Sequence, residues 1–185
     1  MYGQVHKILP NNAPTPLGNS VTLTMYVDAN LYRYMITGRS VTGILHLINQ
    51  TPFNWYSKNQ NTVETATYGS EFTAAHIAVD QITTNKTMLR YLGVPIKNNT
   101  YMFGDNWSVI DSLNIPHAKL HKRHNALSFY RVREAIAAKI IFFIYLLENI
   151  NPADILSKHW GHQQIKTVLK TIPFYVGDTA DLFAD

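Results

Sequence analysis

The chain has 185 residues, 46% of them hydrophobic and 15% charged, which is enough apolar material for one layered domain and too much for a chain disordered throughout. It contains no cysteine, so disulfides, thiolate zinc sites and cysteine nucleophiles are excluded, as fits an intracellular protein. The formal net charge of +4 favours polyanionic partners without specifying one.

Residues 1–20 are rich in Pro, Asn and Gly and carry no apolar period; they read as a linker or arm, and they lack the apolar core of a signal peptide. Residues 21–29 alternate, with Leu23, Met25 and Val27 on one face and Thr22, Thr24 and Tyr26 on the other, which predicts a strand. Residues 39–49 and 52–57 read as two more strands joined by a turn at Asn49-Gln50-Thr51-Pro52, so the first three strands form an antiparallel meander. From 65 to 92 Phe72, Ala75, Val79, Ile82 and Leu89 recur at helical spacing. Thr83-Thr84-Asn85 marks a possible break in that helix, and Gly93-Val94-Pro95 ends it.

A short strand at 100–104 runs into Asp105, followed by one helix to about residue 113 and another over about 120–138. The apolar run 139–147 predicts a strand buried on both faces beside a parallel neighbour, with Phe142, Phe143, Ile144 and Tyr145 in the core. It is far too short to span a membrane. Asn151 and Pro152, as N-cap and first helical residue, open a last helix to about residue 169, and a mildly acidic tail follows. The order β-β-β-α-β-α-α-β-α predicts an α/β fold: a mixed five-stranded sheet, three antiparallel strands then parallel crossovers, with helices on both faces.

No glycine-rich phosphate loop and no Gly-x-Ser-x-Gly elbow is present. Four acidic residues stand in special places instead. Asp28 and Asp105 close two strands and, if these are parallel neighbours, emerge at the same carboxyl edge, where open α/β sheets place their sites. Glu71 lies early on the long helix beside core positions, and Asp154 sits at about the third position of the last helix. Bland readings stand beside these. Asp154 suits a helix-dipole charge, Glu71 a solvated helix residue and Asp105 a turn or cap. Asp28 is the hardest to explain away, because a carboxylate ending an apolar strand loses solvation unless it is paired or bound to metal. His117, His121 and His124 invite a zinc reading but lack an evident fourth ligand.

Six local motifs, in order, resemble the ribonuclease H domain of copia-type (Pseudoviridae) LTR retrotransposon polyproteins: Tyr26-Val27-Asp28-Ala29, Arg39-Ser40-Val41-Thr42-Gly43-Ile44, the block from Trp55-Tyr56-Ser57-Lys58 through Gln60 to Glu71, Asp105-Asn106-Trp107-Ser108, the Lys122 to Glu134 segment, and Asn151-Pro152-Ala153-Asp154 through Lys158. The resemblance covers about residues 21 to 160. It implies a ribonuclease H-like domain over 21–170, with 1–20 as the connection from a preceding polyprotein region and 171–185 as a tail.

It also implies hydrolysis of the RNA strand of RNA–DNA hybrids, with Asp28, Glu71, Asp105 and Asp154 as catalytic ligands of two Mg²⁺ ions about 4 Å apart, for which Mn²⁺ can substitute. Asn30, Asn106, Trp107, Lys122, Arg123 and Arg131 are the expected hybrid contacts, and the basic helical segment, which also carries Lys119 and Arg133, is equally a solvated face. A reverse transcriptase domain in the same polyprotein is the expected partner, the isolated domain is expected to be a monomer, and no membrane is involved. Three departures stand out: Trp107 where the family carries Gln, no histidine in the loop before the last helix, and Ser157-Lys158-His159-Trp160 where Thr-Lys-Pro-Leu is usual. The rival reading is a catalytically idle module that binds nucleic acid or braces a reverse transcriptase. Against it, a binding module gains nothing from four clustered acids that repel one another.

Overall fold

In the computed structural model, residues 17–34, 36–115 and 125–159 are described. The elements run β1 (Val21–Tyr34), β2 (Arg39–Ile48), β3 (Thr51–Asn59), α1 (Thr67–Tyr91), β4 (Ile96–Gly104), α2 (Trp107–Asn114), α3 (Ala126–Ala137), β5 (Phe142–Tyr145), a 3₁₀ turn (Glu148–Ile150) and α4 (Asp154–Ser157). They build the expected α/β architecture, a five-stranded mixed sheet in the order β3-β2-β1-β4-β5. β1, β2 and β3 form an antiparallel meander. β4 lies parallel to β1, and β5 parallel to β4.

The alternation of β1 decides which layer goes where. Leu23, Met25, Val27 and Ala29 face the main core, with Phe72, Ala75, Ala78, Val79 and Ile82 of α1 and with Phe129 and Val132 of α3. On the opposite face Leu45 and Leu47 of β2 pack with Tyr26 and with Leu156 of α4. Helices therefore cover both faces of the sheet. α4 can approach β2 because position 43 is glycine: a Cβ there would stand 2.7 Å from the Ala153 carbonyl oxygen.

Four expectations need correction. The Thr83-Thr84-Asn85 patch does not break α1, which runs unbroken from Thr67 to Tyr91. The Thr83 and Thr84 hydroxyls donate to the carbonyls of Val79 and Asp80 one turn back, at 2.8 and 3.0 Å, so these side chains are satisfied within the helix. The apolar run 139–147 yields only the four-residue β5, which is an edge strand: Phe143 is buried, but Phe142, Ile144 and Tyr145 are exposed, so the run is not a strand buried on both faces. Asn151 does not cap the last helix, and Asp154 is its first residue rather than its third. Asn151 Oδ1 accepts from the Ala153 N–H while its amide donates to the Val27 carbonyl, which draws 151–153 into a turn and delays the helix. Lys158 has extended backbone (φ −112°, ψ 157°), so α4 ends at Ser157. The expected continuation to residue 169, the linker up to residue 16, the tail and the start of the helix expected from 120 lie outside the described residues.

Candidate metal centre

β1 and β4 are parallel, with Tyr26 opposite Phe103, so Asp28 and Asp105 leave the sheet at the same carboxyl edge. Glu71, the fifth residue of α1, faces them from the helix layer. A buried side chain sets this approach. Gln60 donates from its amide to Thr42 Oγ1 (2.9 Å) in β2 and to the Ser70 carbonyl (2.8 Å) at the start of α1, tying the helix to the sheet one residue before Glu71. One carboxylate oxygen from each of Asp28, Glu71 and Asp105 lies within 4.8 Å of the others.

Asp154 stands beside this trio rather than within it. Its Oδ2 accepts from Lys158 Nζ at 2.9 Å, one turn on, and Lys158 also reaches Glu148 Oε1 at 3.2 Å. Ser157 donates its hydroxyl to Asp28 Oδ2. Asn151 Nδ2 lies 3.5 Å from Asp105 Oδ2.

Burial and mutual repulsion govern the electrostatics. Asp28 is 2% exposed; desolvation first, then the neighbouring Asp154 charge, raise its pKa to about 6, against Lys158 and the Ser157 hydrogen bond. Asp105 is raised to about 6 by desolvation and then by Asp28. Glu71 is pushed well above the usual carboxylate range by desolvation, then by Asp28 and Asp105, while a backbone hydrogen bond with Ala29 pulls the other way. Asp154 is raised by burial, and Lys158 opposes the shift. Lys158 itself is raised: burial works against its charge, yet Asp28, Asp154 and Glu148 outweigh that. Each charged pair within the trio repels by roughly 3 kcal/mol at an effective dielectric near 20. Among the described residues one ammonium faces four carboxylates and does not neutralise them, so the cluster calls for protons or further cations. Its donors are all hard oxygens, the set that Mg²⁺ and Mn²⁺ prefer.

The expected hybrid contacts divide. Trp107, 61% exposed, packs edge-on against Tyr145 with ring centroids 5.3 Å apart, two residues beyond Asp105. Asn30 donates to the Ser157 carbonyl at 3.3 Å and Asn106 Oδ1 caps α2 by accepting from the Val109 N–H, so both make structural bonds at the rim. Arg131 is engaged by Asp80 and Glu134 at 2.9 and 3.4 Å. Asp80 lies nine residues along α1 from Glu71, roughly 13 Å by helical rise, so Arg131 is not brought to the centre. Lys119, Lys122, Arg123, His117, His121 and His124 lie outside the described residues.

Sequence reasoning missed the roles of Ser157, Lys158 and Asn151. All three sit in the motif read for Asp154, and the four-residue Asp154–Lys158 spacing is itself an ion-pair signal. Ser57 and Gln60 of the Trp-x-Ser-Lys-x-Gln block turn out to be braces, Ser57 donating to the Leu156 carbonyl at 2.6 Å.

No family model matches the chain. It is 26% identical over 141 residues to the retrovirus-related Pol polyprotein from transposon TNT 1-94 of Nicotiana tabacum, a match covering 76% of this chain and 10% of that relative; the chain thus spans about a tenth of that relative's length. Among solved structures it is similar to ribonuclease H1 from the halophilic archaeon Halobacterium salinarum NRC-1 (12% identity, TM-score 0.55, 80% of this chain and 98% of that one). It is also similar to LC11 ribonuclease H1 in complex with an RNA/DNA hybrid (14%, 0.56, 80% and 99%). The foamy viral protease-reverse transcriptase in complex with an RNA/DNA hybrid is a third neighbour (17%, 0.51, 83% and 22%). The chain has the ribonuclease H fold, and the sequence resemblance to retrotransposon polyproteins holds.

Proposed function

We propose that this ribonuclease H fold is a metal-dependent endonuclease that hydrolyses the RNA strand of RNA–DNA hybrids, within a copia-type polyprotein that also carries a reverse transcriptase, with residues 21–170 as its domain. The observation that carries the reading is the trio Asp28, Glu71 and Asp105, whose oxygens converge within 4.8 Å at the carboxyl edge of two parallel strands. Fold likeness alone does not specify chemistry; two buried acids and a half-buried third, held together against their own repulsion, support a metal-dependent reaction.

In this reading Asp28, Glu71 and Asp105, with Asp154 beside them, hold two divalent cations, Mg²⁺ or Mn²⁺. Such ions supply Lewis-acid polarisation of the phosphoryl oxygen and activation of water. The protein's own contribution is placement. Ser157 orients the Asp28 carboxylate, Asn151 holds Asp105 against β1, and Gln60 fixes the start of α1 so that Glu71 faces the strands. The exposed ring of Trp107 offers a stacking or wedging surface beside the scissile region. Choice of RNA over DNA rests on the 2′-hydroxyl.

Cleavage of an end-labelled RNA–DNA hybrid in Mg²⁺ and in Mn²⁺ tests this. The wild type is expected to cut the hybrid's RNA strand and not duplex DNA, and Asp28→Asn to lose at least about a hundredfold in rate, the scale of deleting a main electrostatic contributor. Hybrid binding without cutting in either metal would favour the idle module instead.

A further inference from the structure

One cation already sits at the acidic cluster. Lys158 Nζ is 2.9 Å from Asp154 Oδ2 and 3.2 Å from Glu148 Oε1. Asp154 belongs to the expected ligand set yet stands outside the trio that converges within 4.8 Å. Its side chain is 3% exposed, that of Lys158 28% and that of Glu148 75%. The ammonium thus bridges a buried acid and a solvent-facing one. Its charge also lowers the pKa of Asp28, Glu71 and Asp105, so its field reaches the whole cluster.

We propose that Lys158 is a built-in counter-cation filling the outer half of the carboxylate site, so that the free protein takes one divalent ion at Asp28, Glu71 and Asp105 and takes a second only when Lys158 leaves Asp154. The inference rests on the metal-dependent reading above. A lysine suits the task because its ammonium is a compact point charge on a flexible stem. Glu148 gives that charge somewhere to remain when Asp154 is taken by another cation, since it lies on the solvent side of the same ammonium. The Asp154–Lys158 pair also spares the metal-free fold an uncompensated buried acid, whose cost is higher than the pair's net gain. Lys158 is therefore a positioning residue: it sets how many ions the centre holds before substrate arrives.

The test is Mn²⁺ binding to the full chain without nucleic acid, followed by the EPR signal of free Mn²⁺, for wild type, Lys158→Met and Lys158→Arg. The wild type is expected to bind one ion. Lys158→Met, which keeps the stem and removes the charge, is expected to bind two, or to bind the first about tenfold tighter. Lys158→Arg keeps the charge and should match the wild type. Two ions of similar affinity in the wild type would overturn the proposal, whether or not the Met variant folds. Equal stoichiometry and affinity in wild type and Lys158→Met would overturn it alone and leave the metal-dependent reading standing. If neither protein binds Mn²⁺, that reading falls and takes the proposal with it.

Discussion

A carboxylate at the end of an apolar strand is short of solvent, and Asp28 also has Asp154, Glu71 and Asp105 around it, opposed by the Lys158 charge and the Ser157 hydrogen bond. Asp28 and Asp105 both titrate near 6 in the folded protein, above their ordinary value of 3.8. The sign of the linkage follows. A group whose folded pKa is raised gives stability that is fully present below its unfolded pKa and is lost as pH rises through its folded pKa. The metal-free protein is therefore expected to lose stability between about pH 4 and pH 6 through these two residues. Divalent metal competes with the same protons, so its stabilisation should appear above about pH 6 and vanish below pH 5. Thermal melts at pH 5 and pH 8, with and without 10-fold steps of Mg²⁺, check this. An equal Mg²⁺-induced rise in Tm at both values would remove these carboxylates from the binding site.

The short helix α4 carries Asp154 and the Ser157 hydroxyl that donates to Asp28, and it is seated by a glycine on β2. A Cβ at position 43 would press on the Ala153 carbonyl at 2.7 Å and on Leu156 Cβ and Ser157 N at 3.1 Å, and two of those three atoms are backbone that has little room to give. Gly43→Ala is expected to cost about 2 kcal/mol, the scale of overpacking in a dense interior, and to weaken Mn²⁺ binding because Ser157 and Asp154 move with the helix. Urea unfolding and Mn²⁺ titration of the same variant read both effects, and full stability would mean that α4 shifts freely. Sequence reasoning found Gly43 within a motif without its reason, since the close contact joins residues more than a hundred positions apart. Elements set by local periodicity were legible: the β1 alternation put Leu23, Met25 and Val27 on one face, the face that lines the core, and the glycine stop ended α1, where Gly93 takes φ 75°. Elements whose ends are set by distant bonds were not. Asn151 looked like a helix cap, but its amide is committed to the Val27 carbonyl. The apolar run around Phe142 looked like a central strand, but nothing in its composition records that it lies at the sheet's edge.

At the scale of the whole molecule, charge of both signs is arranged unevenly. The chain carries a net charge of +4, while among the described residues its carboxyl edge gathers Asp28, Glu71, Asp105 and Asp154 around Lys158. That Asp28 and Asp105 would meet was legible on the condition that their strands are parallel neighbours, as they are; that Lys158 would stand among the acids needed the turn at 151–153 to be seen. A polyanion approaching this surface meets attraction overall and repulsion at the point where chemistry would occur. Salt screening at 0.1 M leaves that local repulsion a reach of about 10 Å, beyond the 4.8 Å within which the oxygens of the trio converge. Metal should therefore strengthen hybrid binding and not merely permit cutting. Ca²⁺, with the same charge and oxygen preference as Mg²⁺, separates the two effects wherever it supports binding without turnover. The expected outcome is a three- to tenfold gain in hybrid affinity, roughly 1 kcal/mol, on adding Ca²⁺ to the wild type at constant ionic strength, measured by fluorescence anisotropy. The Asp28→Asn, Asp105→Asn double variant, relieved of two charges, should bind hybrid without Ca²⁺ about as tightly as the wild type binds with it, and should gain nothing further. If the double variant instead binds more weakly than the metal-free wild type, phosphate does not approach the acidic edge, and the hybrid lies elsewhere on the molecule.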